Sequence, residues 1–324
     1  MHVVIVNYCT GALTVDCLAS LEGEVGSMPG LRATVVDNAS PDGSGATIGW
    51  AIAARGWGGW ARLIQSPVNG GFAQGNNLAI RSLLEADDPP DLFWLLNPDT
   101  RVVPGAAAAI LDFARDRPEV GIVGNALIEE NGAPWPYAFR FPTVLSEVER
   151  GCRVGPVSRL LARATVLRRM GAESEAVDWV PGASMVVRRA VFDAVGLMDE
   201  GYFLYFEETD FCLAAQRAGW PTWYLPGASV VHIAGQSTGL TGPRATPGRV
   251  PRYWFDSRRR YFIKNHGRSY AMLADLAWAA AHLVWRARRR LAAAPDTDPP
   301  ALLADFWRGS AMVAGARTRW RFPG

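Results

Sequence analysis

The chain reads as an α/β protein built on a mostly parallel sheet with helices on both faces. Three observations carry that reading. Short apolar, β-branched runs alternate with segments of helical apolar spacing, joined by short connections, which is the pattern of a parallel sheet. The runs are four to six residues long, too short for a typical helix, and read as strands buried on both faces. Each run ends in a cluster of Asn, Asp, Gly, Pro or Ser. The polar clusters therefore collect on one edge, where open α/β sheets bind ligands.

The first run is His2 to Asn7, ending in Asn7-Tyr8. Thr10 is placed to cap the next helix, whose Leu13, Cys17, Leu18 and Leu21 fit helical spacing. Ala33 to Val36 is the second run, and it stops in the turn formers Asp37-Asn38-Ala39-Ser40-Pro41-Asp42-Gly43-Ser44. Arg62 to Gln65 is the third. It leads into Asn69-Gly70-Gly71-Phe72-Ala73-Gln74-Gly75-Asn76-Asn77, and a helix follows through Leu78, Ile80, Leu83 and Leu84. This glycine-rich turn has neither the dinucleotide nor the P-loop spacing, but a turn that opens a helix can present backbone N–H groups to an anion.

The fourth run, Leu92 to Leu96, ends at Asn97-Pro98-Asp99, because Pro98 cannot donate to a ladder. Asn97 and Asp99 thus stand at the carboxyl end of a central strand. Oxygen ligands there suit Mg²⁺ or Mn²⁺ bridging to a substrate phosphate; an Asx turn capping Thr100 is the plainer alternative. A helix is expected near Ala106 to Phe113, and a strand at Val120 to Val123. The stretch from Pro134 to Met170, with Trp135, Tyr137, Phe139 and Phe141, reads as a loop-rich insertion. Val177 to Val187 reads as one strand bent at Pro181-Gly182.

Gly201-Tyr202-Phe203-Leu204-Tyr205-Phe206 runs straight into Glu207-Glu208-Thr209-Asp210, ahead of a helix from Phe211 to Ala218. Acids there complement a helix dipole. Behind a wall of aromatics, one of them could equally be a desolvated general base. Val230-Val231-His232 is a strand that ends in a histidine.

Composition bounds the rest. At 324 residues and 49% hydrophobic, the chain is globular, with room for two domains or one with an appendage. Met1 to Val6 has no basic region or long apolar run, so no signal peptide is expected. Cys9, Cys17, Cys152 and Cys212 form no Cys-x-x-Cys pair and are expected to be reduced thiols. The net charge of +2 hides an asymmetry: residues 241–324 hold 16 Arg/Lys against 5 Asp/Glu, and residues 1–240 hold 17 against 26. A basic tail on an acidic body suggests a polyanionic partner, either nucleic acid or an anionic membrane face.

Together these residues resemble a family-2 glycosyltransferase of GT-A fold, in the rhamnosyltransferase-like branch that builds bacterial cell-wall and surface polysaccharides. The resemblance is carried by Val3–Tyr8, Val36–Asp42, Asn69–Asn77, Leu95–Asp99, Pro181–Ala183, Glu207–Asp210 and His232, and covers roughly residues 1–240. It implies a Rossmann-like catalytic domain over 1–240, with a nucleotide-sugar half to about 125 and an acceptor half beyond. A basic helical extension would occupy 241–324. It further implies that Asn7, Asp37, Asn69, Gly70, Gly71, Phe72, Gly75, Asn76, Asn97 and Gly182 form the nucleotide-sugar site, Asp37 meeting the base or ribose. Asp99 would hold the metal, with His232 near it or the diphosphate. Asn97 stands at the first position of the family's Asp-x-Asp, a neutral amide where the family has a carboxylate. Glu208 would be the base, one methylene longer than the family's usual Asp, with Asp210 as its rival.

The implied reaction is an inverting transfer of a sugar from a nucleoside diphosphate to a hydroxyl of a glycan or polyprenyl-diphosphate-linked acceptor. The implied setting is cytoplasmic, peripheral on the inner face of the cell membrane, with a homodimer as one possible assembly. Two other classes compete. A sugar-1-phosphate nucleotidyltransferase would need a basic loop after the first strand, where this chain has Asn7-Tyr8-Cys9-Thr10-Gly11. A non-catalytic nucleic-acid binder would use the tail. In that tail, Arg258 to Lys264 is basic and aromatic, and Ala271 to Trp285 is an apolar stretch of 15 residues, short of the ~20 that span a bilayer. Followed by Arg286-Ala287-Arg288-Arg289-Arg290, it reads either as a helix lying on a membrane surface or as one packed on the catalytic domain.

Overall fold

The computed structural model describes residues 1–134, 138–233 and 248–315. Its first third alternates as expected. β1 (His2–Asn7), α1 (Gly11–Ser27), β2 (Arg32–Asp37), α2 (Ser44–Ala54), β3 (Ala61–Gln65), α3 (Gly71–Leu84) and β4 (Leu92–Leu96) give parallel strands in the order β3-β2-β1-β4. Side-chain alternation explains why these runs are almost wholly apolar. Val3 and Ile5 of β1, with Leu92, Trp94 and Leu96 of β4, enter the core under α1 and α2. Val4, Phe93 and Leu95 enter the opposite core under α3. Both faces are covered, so the strand interiors are almost wholly apolar; the buried exception, Thr34 of β2, has its hydroxyl bonded by His2 and Arg62. Thr10 does occupy the cap position of α1, but its side chain makes no cap bond; its hydroxyl donates to Asn7 Oδ1 at 2.9 Å.

Beyond β4 the sheet becomes mixed. β5 (Thr100–Val102), α4 (Ala106–Asp116) and β6 (Ile122–Ile128) lead to two helices, α5 (Val144–Cys152) and α6 (Gly155–Leu160). These helices replace much of the expected loop-rich insertion, whose Trp135 and Tyr137 lie outside the described residues. α5 starts on a capping box in which Thr143 and Ser146 exchange side-chain-to-backbone bonds.

The strand expected from Val177 to Val187 is two strands in different places. β7 (Glu175–Val177) pairs antiparallel with the last strand of the sheet, and β8 (Ser184–Arg188) inserts antiparallel between β4 and β6. That insertion aligns Ser184 with Leu96 and brings the Pro181-Gly182 turn to the carboxyl end of β4. α7 (Arg189–Val195) and α8 (Glu207–Arg217) follow; α8 starts four residues earlier than expected, so the three acids lie within its first turn. β9 (Thr222–His232) runs parallel to β6 and antiparallel to β5, aligning His232 with Thr100 beside Asp99.

The C-terminal extension is helical: α9 (Arg252–His266), α10 (Arg268–Leu291) and α11 (Leu302–Gly309). The boundary expected near residue 240 lies outside the described residues. α9 turns its basic run inward. Arg258, 3% exposed at its side chain, bonds Glu147 at 2.9 Å and Asp275 at 2.5 Å; Arg259 bonds Asp256, and Arg260 bonds Asp199 at 2.7 Å. Burial works against the Glu147 charge, but Arg150 and Arg258 outweigh it and hold the carboxyl below its usual range. The Arg258–Arg260 run is thus an internal ion-pair network and not a solvated basic patch. α10 packs on α5 and α9 through one face, which holds Ala274, Trp278 and His282.

Candidate active site

A cavity of about 910 Å³ opens at the carboxyl edge of β1, β2 and β4. One wall is a set of polar groups that mostly pair with one another, Asn38 Oδ1 being a buried exception with no hydrogen-bond partner among the described residues. Asn7 Nδ2 donates to Asp37 Oδ1 at 2.7 Å, and the Ser40 hydroxyl donates to the same oxygen at 2.6 Å. Both Asn7 and Asp37 are buried and stand one layer behind the cavity, fixing the loop Asn38-Ala39-Ser40-Pro41. Asn38 Nδ2 donates to Asn69 Oδ1 at 2.9 Å and to the Gly71 carbonyl at 3.1 Å. Gly71 has φ +83°, and a Cβ there would sit 1.8 Å from the Phe203 carbonyl oxygen, so no other residue fits. The Phe72 amide closes the contact by donating to that oxygen at 3.0 Å. The glycine-rich turn therefore joins the two halves of the cavity. Phe72 itself is a wall residue, against which Gly182 packs so closely that a Cβ would meet the ring at 2.6 Å.

At the centre lie Asn97, Asp99 and His232. The Asn97 amide donates to the Ala183 carbonyl at 3.0 Å, which locks the end of β4 to the Pro181-Gly182 turn. Asp99 is 4% exposed, with its Oδ1 at 3.5 Å from His232 Nε2. A carboxylate and an imidazole side by side form a donor pair that suits a divalent cation whose remaining ligands are water and substrate phosphate. Among the described residues no group of three or more His, Cys, Asp or Glu forms a self-sufficient metal cage.

The opposite wall differs. Tyr205 and Phe206 both adopt left-handed backbone, with φ of 71° and 68°, immediately before α8. Such strain costs about 1–3 kcal/mol per residue and persists only where the surroundings enforce it. Here it aims Glu207 and Glu208 at the cavity. Each has a buried Oε2 with no hydrogen-bond partner among the described residues. Burial raises the Glu208 carboxyl to about 7, against a smaller lowering from the Gly182 backbone. Burial and the neighbouring Glu208 raise Glu207 well above the usual carboxylate range. Asp210 faces away. Residues two apart on a helix lie about 200° around its axis, and Asp210 is gripped from α9 by Lys264 Nζ and Asn265 Nδ2, each at 2.6 Å.

Of the residues singled out from sequence, Asn69, Gly71, Phe72, Asn97, Asp99, Gly182, Glu208 and His232 meet in the cavity wall. Asn7, Asp37, Gly70, Gly75 and Asn76 sit behind it. Gly75 packs against Val6, and Asn76 donates to the Phe72 carbonyl at 2.9 Å. The structure adds Pro67, Val68 and Tyr253. Tyr253 comes from α9 and lies parallel to Tyr205, ring centroids 6.1 Å apart. Only the aromatic run Tyr253-Trp254-Phe255 hinted at it in the sequence.

No family model matches the chain. Over 241 residues it is 30% identical to the N-acetylglucosaminyl-diphospho-decaprenol L-rhamnosyltransferase of Mycobacterium tuberculosis, covering 71% of this chain and 73% of that one. It is 27% identical over 168 residues to the rhamnosyltransferase WbbL of Escherichia coli, covering 51% and 61%. Among solved structures it is similar to the mannosyltransferase PcManGT from Pyrobaculum calidifontis in complex with GDP-Man and Mn²⁺. The TM-score is 0.55 at 16% identity, over 98% of this chain and 84% of that one. It is also similar to S. aureus TarS 1-349 in complex with UDP-GlcNAc, with a TM-score of 0.53 at 12% identity, over 97% and 83%. At these identities the structural likenesses establish the fold alone, which is the GT-A fold expected from sequence.

Proposed function

The chain belongs to the rhamnosyltransferase-like family-2 glycosyltransferases, and from that premise we propose that it is an inverting, metal-assisted enzyme acting on a lipid-linked glycan acceptor. The observation that carries this reading is the Glu208 carboxylate. It has one oxygen unbonded and its affinity for a proton raised, and it shares a cavity with the Asp99–His232 pair. A carboxyl poised near 7 can take a proton from a hydroxyl at neutral pH. In the proposed step Glu208 accepts the acceptor's hydroxyl proton as that oxygen attacks the anomeric carbon. The bond from that carbon to the diphosphate oxygen breaks on the opposite face, and its electron pair leaves with the nucleoside diphosphate. A divalent cation at Asp99 and His232 would supply charge stabilisation for the leaving diphosphate. Asn97 would then orient the donor sugar or diphosphate by hydrogen bonding. Asp210 is a positioning residue that fixes α8.

The names of the relatives support rhamnose as the sugar and a polyprenyl-diphosphate-linked acceptor. On this reading the enzyme works in the cytoplasm against the inner membrane face. The loops Asn38–Pro41 and Pro67–Gly71 hold the nucleotide, and Phe203, Tyr205 and Tyr253 face the acceptor. Thermal-shift measurements with dTDP, UDP, GDP and CDP, each with and without Mn²⁺, test it. One nucleoside diphosphate should raise Tm, and more so with Mn²⁺, because a ligand that binds only the folded state stabilises it. No shift with any of the four overturns the donor site.

A further inference from the structure

The outer face of α10 is apolar and unlike any ordinary solvent-facing helix side. Leu273, Leu276, Leu283 and Val284 are 46–58% exposed, and Leu291 is 90% exposed. With the exposed Ala280 and Ala287 they recur at steps of three and four residues, so they form one strip along the helix. A solvent-facing side normally carries charge of both signs. Here the only acid in α10 is Asp275, which is buried and bonded to Arg258. The cations cluster at the C-terminal end. By helical spacing the exposed Arg288 and Arg290 flank the strip on its two sides, with the half-buried Arg286 next to Arg290. Among the described residues none of these three forms an ion pair, whereas Arg289 between them pairs with Asp296. The same helix is not long and apolar enough to cross a bilayer.

We propose that the outer face of α10 seats on an anionic bilayer surface. The helix lies in the plane of the interface, its leucines at the boundary of headgroups and acyl chains, and Arg286, Arg288 and Arg290 against lipid phosphates. The charge pattern selects this occupant over a second copy of the chain. Two such strips packed together, parallel or antiparallel, would enclose arginine-flanked faces with no exposed carboxylate on either helix to pair them. A membrane surface supplies the missing anions and the apolar medium at once. The inference stands on residues outside the cavity, so it and the glycosyltransferase reading can fail separately.

The test is co-sedimentation of the full chain with vesicles of phosphatidylcholine alone, or of equal parts phosphatidylcholine and phosphatidylglycerol. The parent should bind the anionic vesicles, more weakly at high salt, and leave the neutral ones largely unbound. Two variants, L276Q/L283Q and R286Q/R288Q/R290Q, should each weaken binding by about tenfold or more. All the changed side chains are at least partly exposed, and an unchanged circular dichroism spectrum and nucleoside-diphosphate thermal shift show that the fold survives. Vesicle binding that neither variant alters overturns the proposal. So does a failure to bind anionic vesicles, including the case where light scattering finds a dimer that L276Q/L283Q dissociates.

Discussion

The two walls of the cavity are built on opposite principles. On the donor side most polar groups are spent on each other, Asn7 with Asp37, Asp37 with Ser40, and Asn38 Nδ2 with Asn69, and only the neutral Asn38 Oδ1 lacks a partner among the described residues. On the acid side two consecutive residues are held in left-handed backbone, and two carboxylates keep an unbonded oxygen each. A wall whose polar groups are mostly paired, and which carries no unpaired charge, offers a ligand mainly shape and backbone. A wall with strained backbone and unspent groups is where chemistry has something to gain, because its side chains exchange no existing partner on meeting substrate.

If that contrast is right, the largest effect comes from the unspent side. Glu208→Gln keeps size and burial but removes the base, and should lower kcat by about 10²–10⁴-fold with the nucleoside-diphosphate thermal shift intact. Retention of kcat would move the chemistry elsewhere. Next comes Asp99→Ala, expected to lower turnover by about 10²–10³-fold and to abolish the Mn²⁺ dependence of the thermal shift; metal-dependent activity in this variant would dismantle the metal assignment.

A pH profile sharpens the same comparison without mutation. In the proposed step Glu208 acts deprotonated, and burial raises its carboxyl to about 7, so kcat should climb roughly tenfold per unit below that pH and level off above it. A limb near the ordinary carboxylate value would mean that burial does not tune this group. Asp210→Asn, whose carboxylate already has partners, should instead cost about 1–3 kcal/mol of stability, read as a lowered Tm, while kcat falls far less than in Glu208→Gln. The smallest effect is expected from Tyr253→Ala, which removes one face of an aromatic pair. KM for the acceptor should rise severalfold, in line with about 0.5–1.5 kcal/mol for such a contact, and donor binding should not change.

The donor half was legible because its physics is local. A strand covered on both faces must be apolar at almost every position, and a parallel strand must end where Pro98 or the Asp37 cluster stops the ladder. Most of the cavity's centre followed from the same rule. What could not be read depended on partners far along the chain. β8 pairs with β4 across about ninety residues, and nothing in Ser184–Arg188 announces the antiparallel slot. Arg258 looks like a solvated cation until Glu147 and Asp275 are folded around it. The choice between Glu208 and Asp210 was closer to reach. Starting the helix at Phe211 hides their opposite directions, whereas starting it at Glu207 exposes them. Tyr253 escaped because its contribution arises from α9, in a segment that the family resemblance does not cover.

The grip of Lys264 and Asn265 on Asp210 has a consequence for modularity. α8 presents Glu208 outward while α9 holds it from behind, and the same α9 neutralises Asp199 and Glu147. Severing the chain near residue 240 would leave Asp199 and Asp210 without their counter-charges, Glu147 with Arg150 alone, and the proposed base on a loosened helix. The two segments should therefore melt in one cooperative transition, and exchanging the extension between homologues should preserve the enzyme only where those basic partners travel with it.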